Sequence, residues 1–274
     1  MNPPTLVSAP TDTTLMRSLF SIGFLARFSY ALARNPVLPL FAAALGAGPE
    51  GIGLAVGIST VTGILFKMPS GALSDVIGRR RTMLAGLVVF GLMPFAYLVI
   101  TDYTALVVVR FLHGLATAIY GPVAMAVVAD IAGARKGEML SWFSSVGIVG
   151  TLLGAPIGGY LLLLLGGEQS GLTSYRTVFL CSALTGAAAL ILGLLTLRNG
   201  DKPAEGKSLA ERFHLFAQGI REVVADRRVL MTSSMEGIQN MSMGALEAFL
   251  PVYAVTVAGL NVFQAGLIWG VQIV

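Results

Sequence analysis

The chain has 274 residues and a formal net charge of +4, and only 12% of its residues are charged, against about 25% in an average soluble domain. Its mean hydropathy is +0.80, and 55% of its residues are hydrophobic. Because a water-soluble globule cannot bury so much apolar surface, this composition excludes an ordinary cytosolic enzyme, a nucleic-acid-binding protein and a disordered tail. It predicts a polytopic membrane protein, and its single cysteine, Cys181, provides neither an intrachain disulfide nor a cysteine-based metal site.

Apolar segments long enough to cross a bilayer as helices, about 20 residues each, follow a polar N-terminal tail of residues 1–18. Helices are expected because lipid offers the backbone no hydrogen-bond partner, and no alternating pattern typical of barrel strands occurs. The predicted spans are Leu19–Ala44, Gly51–Leu73, Thr82–Ile100, Ala105–Val128, Met139–Gly166, Thr177–Leu197, Val229–Ala254 and the beginning of an eighth, Val262–Val274. The predicted fold is therefore an all-α, polytopic transmembrane helical bundle.

Basic residues between the spans predict the orientation of the chain. Thirteen of the 18 Lys and Arg residues fall in gaps on one side of the bilayer, and only Arg176 falls on the other. Since cytoplasmic loops carry the excess of basic residues, we expect the N-terminus to be cytoplasmic, in the plasma (inner) membrane. This distribution explains the positive charge without a nucleic-acid partner.

The first span carries Arg27, Tyr30 and Arg34 at spacings that place them on one helix face. A charge inside a membrane is costly, so such residues normally face a cavity or a partner. We predict that this face points inward and belongs to a substrate or proton pathway.

The loop after the second span contains the strongest motif in the chain. It is formed by Gly71, Leu73, Ser74, Asp75, Gly78, Arg79 and Arg80. These residues resemble the signature of the major facilitator superfamily, with Val76 where a basic residue is usual. The resemblance implies an all-α, six-helix repeat and a latch that closes the cytoplasmic side, in which Asp130 meets Arg79. From the residues alone, Asp75 is expected to cap the next helix, and the arginines could instead serve only to set the topology.

The fourth span carries Arg110 and His113, one helical turn apart. They resemble a second motif of the superfamily, with His113 in place of a common Gln. That resemblance implies a role for Arg110 in proton coupling or in the central cavity. The alternatives are an arginine that is structural and bonded to backbone carbonyls, and a histidine that only packs.

The fifth span carries a run of small residues with one proline, namely Gly150, Gly154, Pro156, Gly158 and Gly159. It resembles a motif found mainly in exporters of the superfamily, although the proline is shifted by one position. Glycines at this spacing let a second helix approach closely, so generic helix packing is the alternative interpretation.

The longest polar segment, Arg198–Arg228, includes an amphipathic stretch at Leu209–Val224. Six spans, a cytoplasmic linker and further spans are the layout of transporters built from two six-helix repeats. We therefore expect a tail at 1–18, a six-helix domain at 19–197, a linker at 198–228 and, at 229–274, the start of a second, truncated repeat. A full second repeat needs more helices, so we expect the chain to be part of a longer protein.

The seventh span also has a polar face, which is expected to line the same cavity as that of the first span or to bind it directly. This face consists of Glu236, Gln239, Asn240 and Glu247. No Asp or Glu lies deep in the first six spans, so the proton carrier is expected to be Glu236 or Glu247, or to lie outside this chain.

The G-x-G-x-x-G pattern at 46–51 joins two spans rather than a strand and a helix, so we predict no nucleotide site. No cofactor, metal or nucleic acid is expected. The resemblance implies secondary active transport by alternating access, with protons and a small-molecule solute as partners. Efflux is favoured by the fourth-span and fifth-span motifs. An anionic or amphipathic organic solute is favoured by the cationic set at 27, 34, 110 and 113. The alternatives are proton-coupled uptake of a metabolite, a membrane enzyme, or a non-transporting sensor.

Overall fold

The computed structural model describes residues 10–166, 171–197 and 209–272, and all regular structure in these ranges is helical, which confirms the predicted all-α bundle. The helices are α1 (Pro10–Arg34), α2 (Val37–Ala44), α3 (Pro49–Ile77), α4 (Arg79–Ala96), α5 (Tyr103–Ala132), α6 (Lys136–Leu164), α7 (Leu172–Thr196), α8 (Leu209–Ala225), α9 (Arg227–Thr256) and α10 (Val262–Gln272). Short 3₁₀ turns follow α4 and α5, at Tyr97–Val99 and Gly133–Arg135.

Four apolar segments among the described residues are long and apolar enough to cross a membrane, and the longest of them contains both α5 and α6. They are Pro49–Asp75, Arg79–Val99, Tyr103–Leu164 and Leu172–Thr196. The predicted spans α1 and α9 fall outside this set because their arginines, carboxylates and amides lower the hydropathy. Large apolar side chains such as Ile64 and Leu195 are more than two-thirds exposed, as expected of a lipid-facing surface.

The first predicted span is not one helix. α1 ends at Arg34 and α2 begins at Val37, with Pro36 at the cap position between them. Proline has no backbone N–H to continue the helical ladder, and its ring clashes with the preceding turn. Hydropathy alone could not show this break, because both pieces are apolar.

Several helices run about one turn beyond the predicted spans, because hydropathy marks the bilayer and not the last backbone hydrogen bond. α3 continues to Ile77 and ends at Gly78, where φ is +108°. α5 likewise ends before Gly133, where φ is +53°. Glycine adopts these conformations without the steric cost that a Cβ imposes.

α1 packs along α6 and α7, while α5 packs against α3 and α4. A buried pair of serines fixes the contact between α1 and α7. Ser29 Oγ donates to Ser182 O at 2.7 Å, and Ser182 Oγ donates back to Ser29 O at 2.7 Å. Each helix thereby satisfies a hydroxyl of the other inside the apolar core.

The amphipathic stretch of the predicted linker forms α8, whereas residues 198–208 lie outside the described ranges. α9 follows directly, and the Asp226 carboxylate caps it by accepting from the N–H of Arg228 at 2.8 Å. Most of α9 is exposed, and its final turns contact α2, α3 and α10. α10 packs against α6, so the second repeat begins on the surface of the first.

Candidate functional site

The loop motif forms an ion-paired corner between α3, α4 and α5. Arg79 Nη1 lies 2.5 Å from Asp130 Oδ2, the contact that the resemblance implies, and Arg79 Nη2 lies 3.6 Å from Asp75 Oδ1. The residue at the cap position of α4 is Gly78, so the expected role of Asp75 as a cap remains a prediction. Because α3 continues to Ile77, Asp75 sits inside that helix, one turn before Arg79.

The other motif residues have separate structural roles. Arg80 Nε donates to the backbone carbonyl of Leu197 at 2.5 Å and so ties the start of α4 to the end of α7. Ser74 Oγ donates to Gly71 O at 2.7 Å within α3, and Leu73 is partly exposed.

An ion pair connects the two repeats. Arg34, at the end of α1, pairs with Glu247 of α9, and Arg34 Nη2 donates to Glu247 Oε2 at 2.8 Å. Asn35 Nδ2 donates to the other carboxylate oxygen at 3.2 Å. The side chains of Arg34 and Glu247 are only 24% and 14% exposed, so the pair is largely screened from water. Of the two open interpretations, this contact corresponds to the one in which the polar faces bind each other.

The same polar network continues into the bundle through Tyr30. Arg34 Nη1 donates to the Tyr30 hydroxyl at 3.3 Å, and that hydroxyl lies 3.5 Å from Ser59 Oγ. Arg110 then donates to Ser59 Oγ at 2.6 Å through Nη2 and to Ala55 O at 3.1 Å through Nε. A chain of polar contacts therefore runs from Glu247 to the interface of α3 and α5.

Arg110 lies behind this network and not on an open crevice, because it is 2% exposed and bonded to backbone carbonyls of α3. His113 is 1% exposed, and its Nδ1 lies 3.1 Å from the Tyr97 hydroxyl. Its ring packs edge-on against Tyr30 and Phe90. Both residues occupy the structural positions that the sequence analysis left open as alternatives.

Arg27 occupies a different environment from Arg34, because Arg27 is exposed whereas Arg34 is half-buried. Arg27 borders a cavity of about 300 Å³ between α1, α5 and α6. Other residues lining this cavity are Tyr120, Met125, Phe143, Ser144 and Thr151. None of these five was a sequence candidate, because isolated hydroxyl and apolar side chains in a span carry no pattern.

Only one of the four polar candidates on α9 reaches the first repeat. Glu236, Gln239 and Asn240 are exposed, and the Asn240 amide donates to the Glu236 carbonyl within the helix at 2.9 Å. Glu247, two to three turns further along α9, is the residue that contacts α1. In the part of the chain described here, no group of three or more His, Cys, Asp or Glu side chains could hold a metal ion.

The small residues of α6 let this helix pack between α1 and α10. A Cβ added at Gly150 would come within 2.9 Å of Phe24 O, and Gly158 lies against the Leu32 carbonyl. Gly159 lies against the backbone of α10, and Pro156 faces the glycines of α10. The motif therefore joins the two repeats by close backbone contact.

Comparisons with known proteins agree with this architecture. Relatives include the "Putative tartrate transporter" of Agrobacterium vitis, 30% identical over 237 residues, which are 84% of this chain and 49% of that protein. The quinolone resistance protein NorA of Staphylococcus aureus is 24% identical over 168 residues, 61% of this chain and 41% of that protein. The chain thus spans about half, or less, of the length of these curated relatives.

Solved structures share the fold at low sequence identity. The crystal structure of a D-xylose-proton symporter matches with a TM-score of 0.63 and 17% identity, over 94% of this chain and 66% of that one. The family model described as Major Facilitator Superfamily matches residues 19–274. The chain is therefore an integral membrane protein that belongs to the Major Facilitator Superfamily, whose transporters move small-molecule solutes.

Proposed function

We propose that this chain belongs to a proton-coupled transporter that moves small organic anions by alternating access, with Glu247 as the proton acceptor. The observation that carries the proposal is the ion pair between Arg34 and Glu247, which connects α1 of the first repeat with α9 of the second. Two repeats that rock about a central site need contacts that can break and form again.

The Glu247 carboxylate suits this role because one oxygen accepts a hydrogen bond from Arg34, at the end of α1, and the other accepts from Asn35, the next residue. Protonation removes the negative charge and with it the ion pair to Arg34. Protonation of Glu247 therefore weakens the contact between α1 and α9. This change shifts the equilibrium between the conformations of the transporter.

We propose that the transporter exports its solute in exchange for protons. We also propose that it lies in the plasma (inner) membrane with its N-terminus in the cytoplasm. The support is the small-residue and proline motif of α6, which resembles that of exporters and contacts both α1 and α10. A relative named for quinolone resistance is consistent with export.

Proton-coupled uptake is the second candidate. A relative 30% identical to this chain is named for the transport of tartrate, an organic anion. In that case the proton on Glu247 and the anion travel together and in the same direction.

The test is flux of a radiolabelled organic anion in inverted membrane vesicles that contain the chain, with a pH gradient imposed in either sense. Efflux predicts accumulation inside inverted vesicles when their lumen is acidic, whereas uptake predicts loss from loaded vesicles under the same gradient. Glu247→Gln is expected to abolish the dependence on the gradient, because the amide cannot carry a proton.

Glu50→Gln is the matched control, since Glu50 is an exposed acid at the start of α3 and lies far along that helix from the latch. Gradient-driven flux that survives in Glu247→Gln would disprove the assignment of the proton site. Unchanged anion flux in Arg34→Ala, together with lost cation export, would disprove the anionic substrate. Solute binding without any flux would favour the sensor.

A further inference from the structure

We propose that the apolar groove between α3 and α4 binds an anionic phospholipid, whose phosphate is held by Arg81 and one of whose acyl chains lies along the groove. In the proposed orientation of the chain, this lipid belongs to the cytoplasmic leaflet. The inference rests on the membrane location of the chain, but not on the solute or on its coupling to protons. The groove has a volume of about 490 Å³, within the range of ligand pockets, roughly 300–1,000 Å³.

The groove is open because α3 and α4 each pack against α5 more extensively than against each other. Phe66, Leu73 and Ile77 of α3 form one wall, and Leu115 and Ile119 of α5 form the floor. The three side chains of the wall are more than one-third exposed. Apolar surface of this kind is unfavourable in water and favourable against hydrocarbon, so an acyl chain is the ligand that suits the walls.

Arg81 places a single cation at one end of this groove. Its two neighbours in the loop motif have protein partners, since Arg79 pairs with Asp130 and Arg80 donates to the carbonyl of Leu197. Arg81 is exposed and forms no ion pair or hydrogen bond with any residue that the structure describes. Exposure is what a headgroup partner needs, because headgroups lie at the water interface. A guanidinium binds phosphate through two parallel hydrogen bonds, and basic residues at this level attract anionic lipids.

The length of the groove matches one leaflet of a bilayer. Phe66 and Ile77 lie at the two ends of the α3 wall, about 17 Å apart along a helix that rises ~1.5 Å per residue. One leaflet contributes about 15 Å to a hydrocarbon core that is ~30 Å thick. Arg81, in the first turn of α4, lies at the Ile77 end. A lipid bound there through its phosphate can extend an acyl chain to Phe66, whereas a small soluble anion would leave the apolar walls uncovered.

The test measures which lipid contacts the deep end of the groove. Phe66→Trp introduces a fluorescent reporter there, in the full chain with Trp142→Phe and Trp269→Phe, reconstituted in vesicles of phosphatidylglycerol and phosphatidylcholine. Brominated acyl chains quench a tryptophan that they contact. Brominating one lipid and then the other therefore gives the relative affinity of the two lipids at the reporter. We expect phosphatidylglycerol, which is anionic, to be preferred about fivefold, the contribution typical of one basic residue at the membrane surface.

Arg81→Gln is expected to make the two lipids bind about equally at the reporter, although position 66 lies at the other end of the groove. Arg17→Gln is the matched control and should keep the preference, since Arg17 is an exposed arginine of α1 outside the groove. Ala85→Phe fills the groove and leaves Arg81 in place, because Ala85 is an exposed residue of its α4 wall. This variant should lower the quenching by both lipids.

Thermal unfolding checks the fold of each variant. If Arg81→Gln does not fold, about 1 M salt takes its place, since screening then acts over roughly 3 Å and the preference should fall. Equal affinity of the two lipids in the chain with Arg81, a preference that survives the loss or screening of its charge, or unchanged quenching in Ala85→Phe would overturn the site. A preference that inorganic phosphate removes at constant ionic strength would indicate a site for a free anion and not for a lipid.

The readout requires no solute. Absence of transport with the lipid preference intact would therefore contradict the proposed function alone, whereas gradient-driven flux without any lipid preference would contradict the lipid site alone.

Discussion

The three arginines within the predicted spans of the first repeat have three different environments. Arg34 is ion-paired across repeats, Arg110 is buried against backbone carbonyls, and Arg27 borders a cavity. Their contributions differ accordingly, because only a guanidinium with fixed partners stabilises the fold.

Arg34 and Glu247 are expected to be energetically coupled. Arg34→Gln and Glu247→Gln should each lower the free energy of unfolding by about 1–3 kcal/mol, less than for fully buried pairs because both side chains keep some exposure. The double variant should cost less than the sum of the two, since the second replacement removes a charge already left unpaired. Thermal unfolding in detergent measures the cycle, and strictly additive costs would show that the pair contributes nothing.

Arg110→Lys tests the structural role of this arginine. The guanidinium donates from two nitrogens to α3, and a lysine ammonium cannot reproduce that fork. We expect a loss of about 1.5–3 kcal/mol in stability, with solute affinity nearly unchanged in the protein that remains folded. A large loss of affinity at wild-type stability would instead place Arg110 in the solute pathway.

Sequence patterns predicted which residues share one face of α1 but not the partner of each. Spacing placed Arg27, Tyr30 and Arg34 together, because helix geometry is local. The partner of Arg34 lies 213 residues away and depends on how α9 packs. The groove beside Arg81 could not be predicted at all, since its lining comes from three helices whose packing the sequence does not show.

At the scale of elements, the α1–α6 contact depends on residues without side chains. A Cβ at position 154 would come within 2.7 Å of the Ala31 Cβ and 2.8 Å of the Phe28 carbonyl. Since backbone cannot move aside as a flexible side chain can, Gly154→Ala should lower the unfolding free energy by about 1–3 kcal/mol.

Gly137→Ala in the same helix is the matched control, because nothing lies within 4 Å of a Cβ added there. It should leave the midpoint of thermal unfolding unchanged or raise it slightly, because alanine has a higher helix propensity than glycine. An equal loss of stability in the two variants would mean that the contact with α1 does not set the cost.

Element types followed from the sequence better than element boundaries did. Apart from the break at 35–36 and a few residues at span ends, the predicted spans are helical where the structure describes them, because lipid leaves the backbone no alternative. Hydropathy did not predict the break at Pro36 or the extension of α3 to Ile77. Proline and glycine mark such ends, but whether a helix bends or stops there depends on its neighbours.

At the scale of the whole molecule, the proposed latch is an ion pair of small free energy that acts on the equilibrium between two conformations of the transporter. The Arg79 and Asp130 side chains are 30% and 57% exposed, so their ion pair contributes about 0.2–1 kcal/mol and weakens in salt. A contribution of this size cannot hold one conformation alone, but it shifts populations between two states of nearly equal free energy.

Asp130→Asn should therefore change the ratio of latch-open to latch-closed molecules by no more than about fivefold at low salt, and the change should vanish at about 1 M salt, where screening acts over roughly 3 Å. Spin labels at positions 17 and 228, in α1 and at the start of α9, measure the distance between these two helices, with Cys181 replaced by serine. Asp102→Asn, at the opposite end of α5, is the control. A shift that persists in high salt would mean that Asp130 acts through packing and not through its charge.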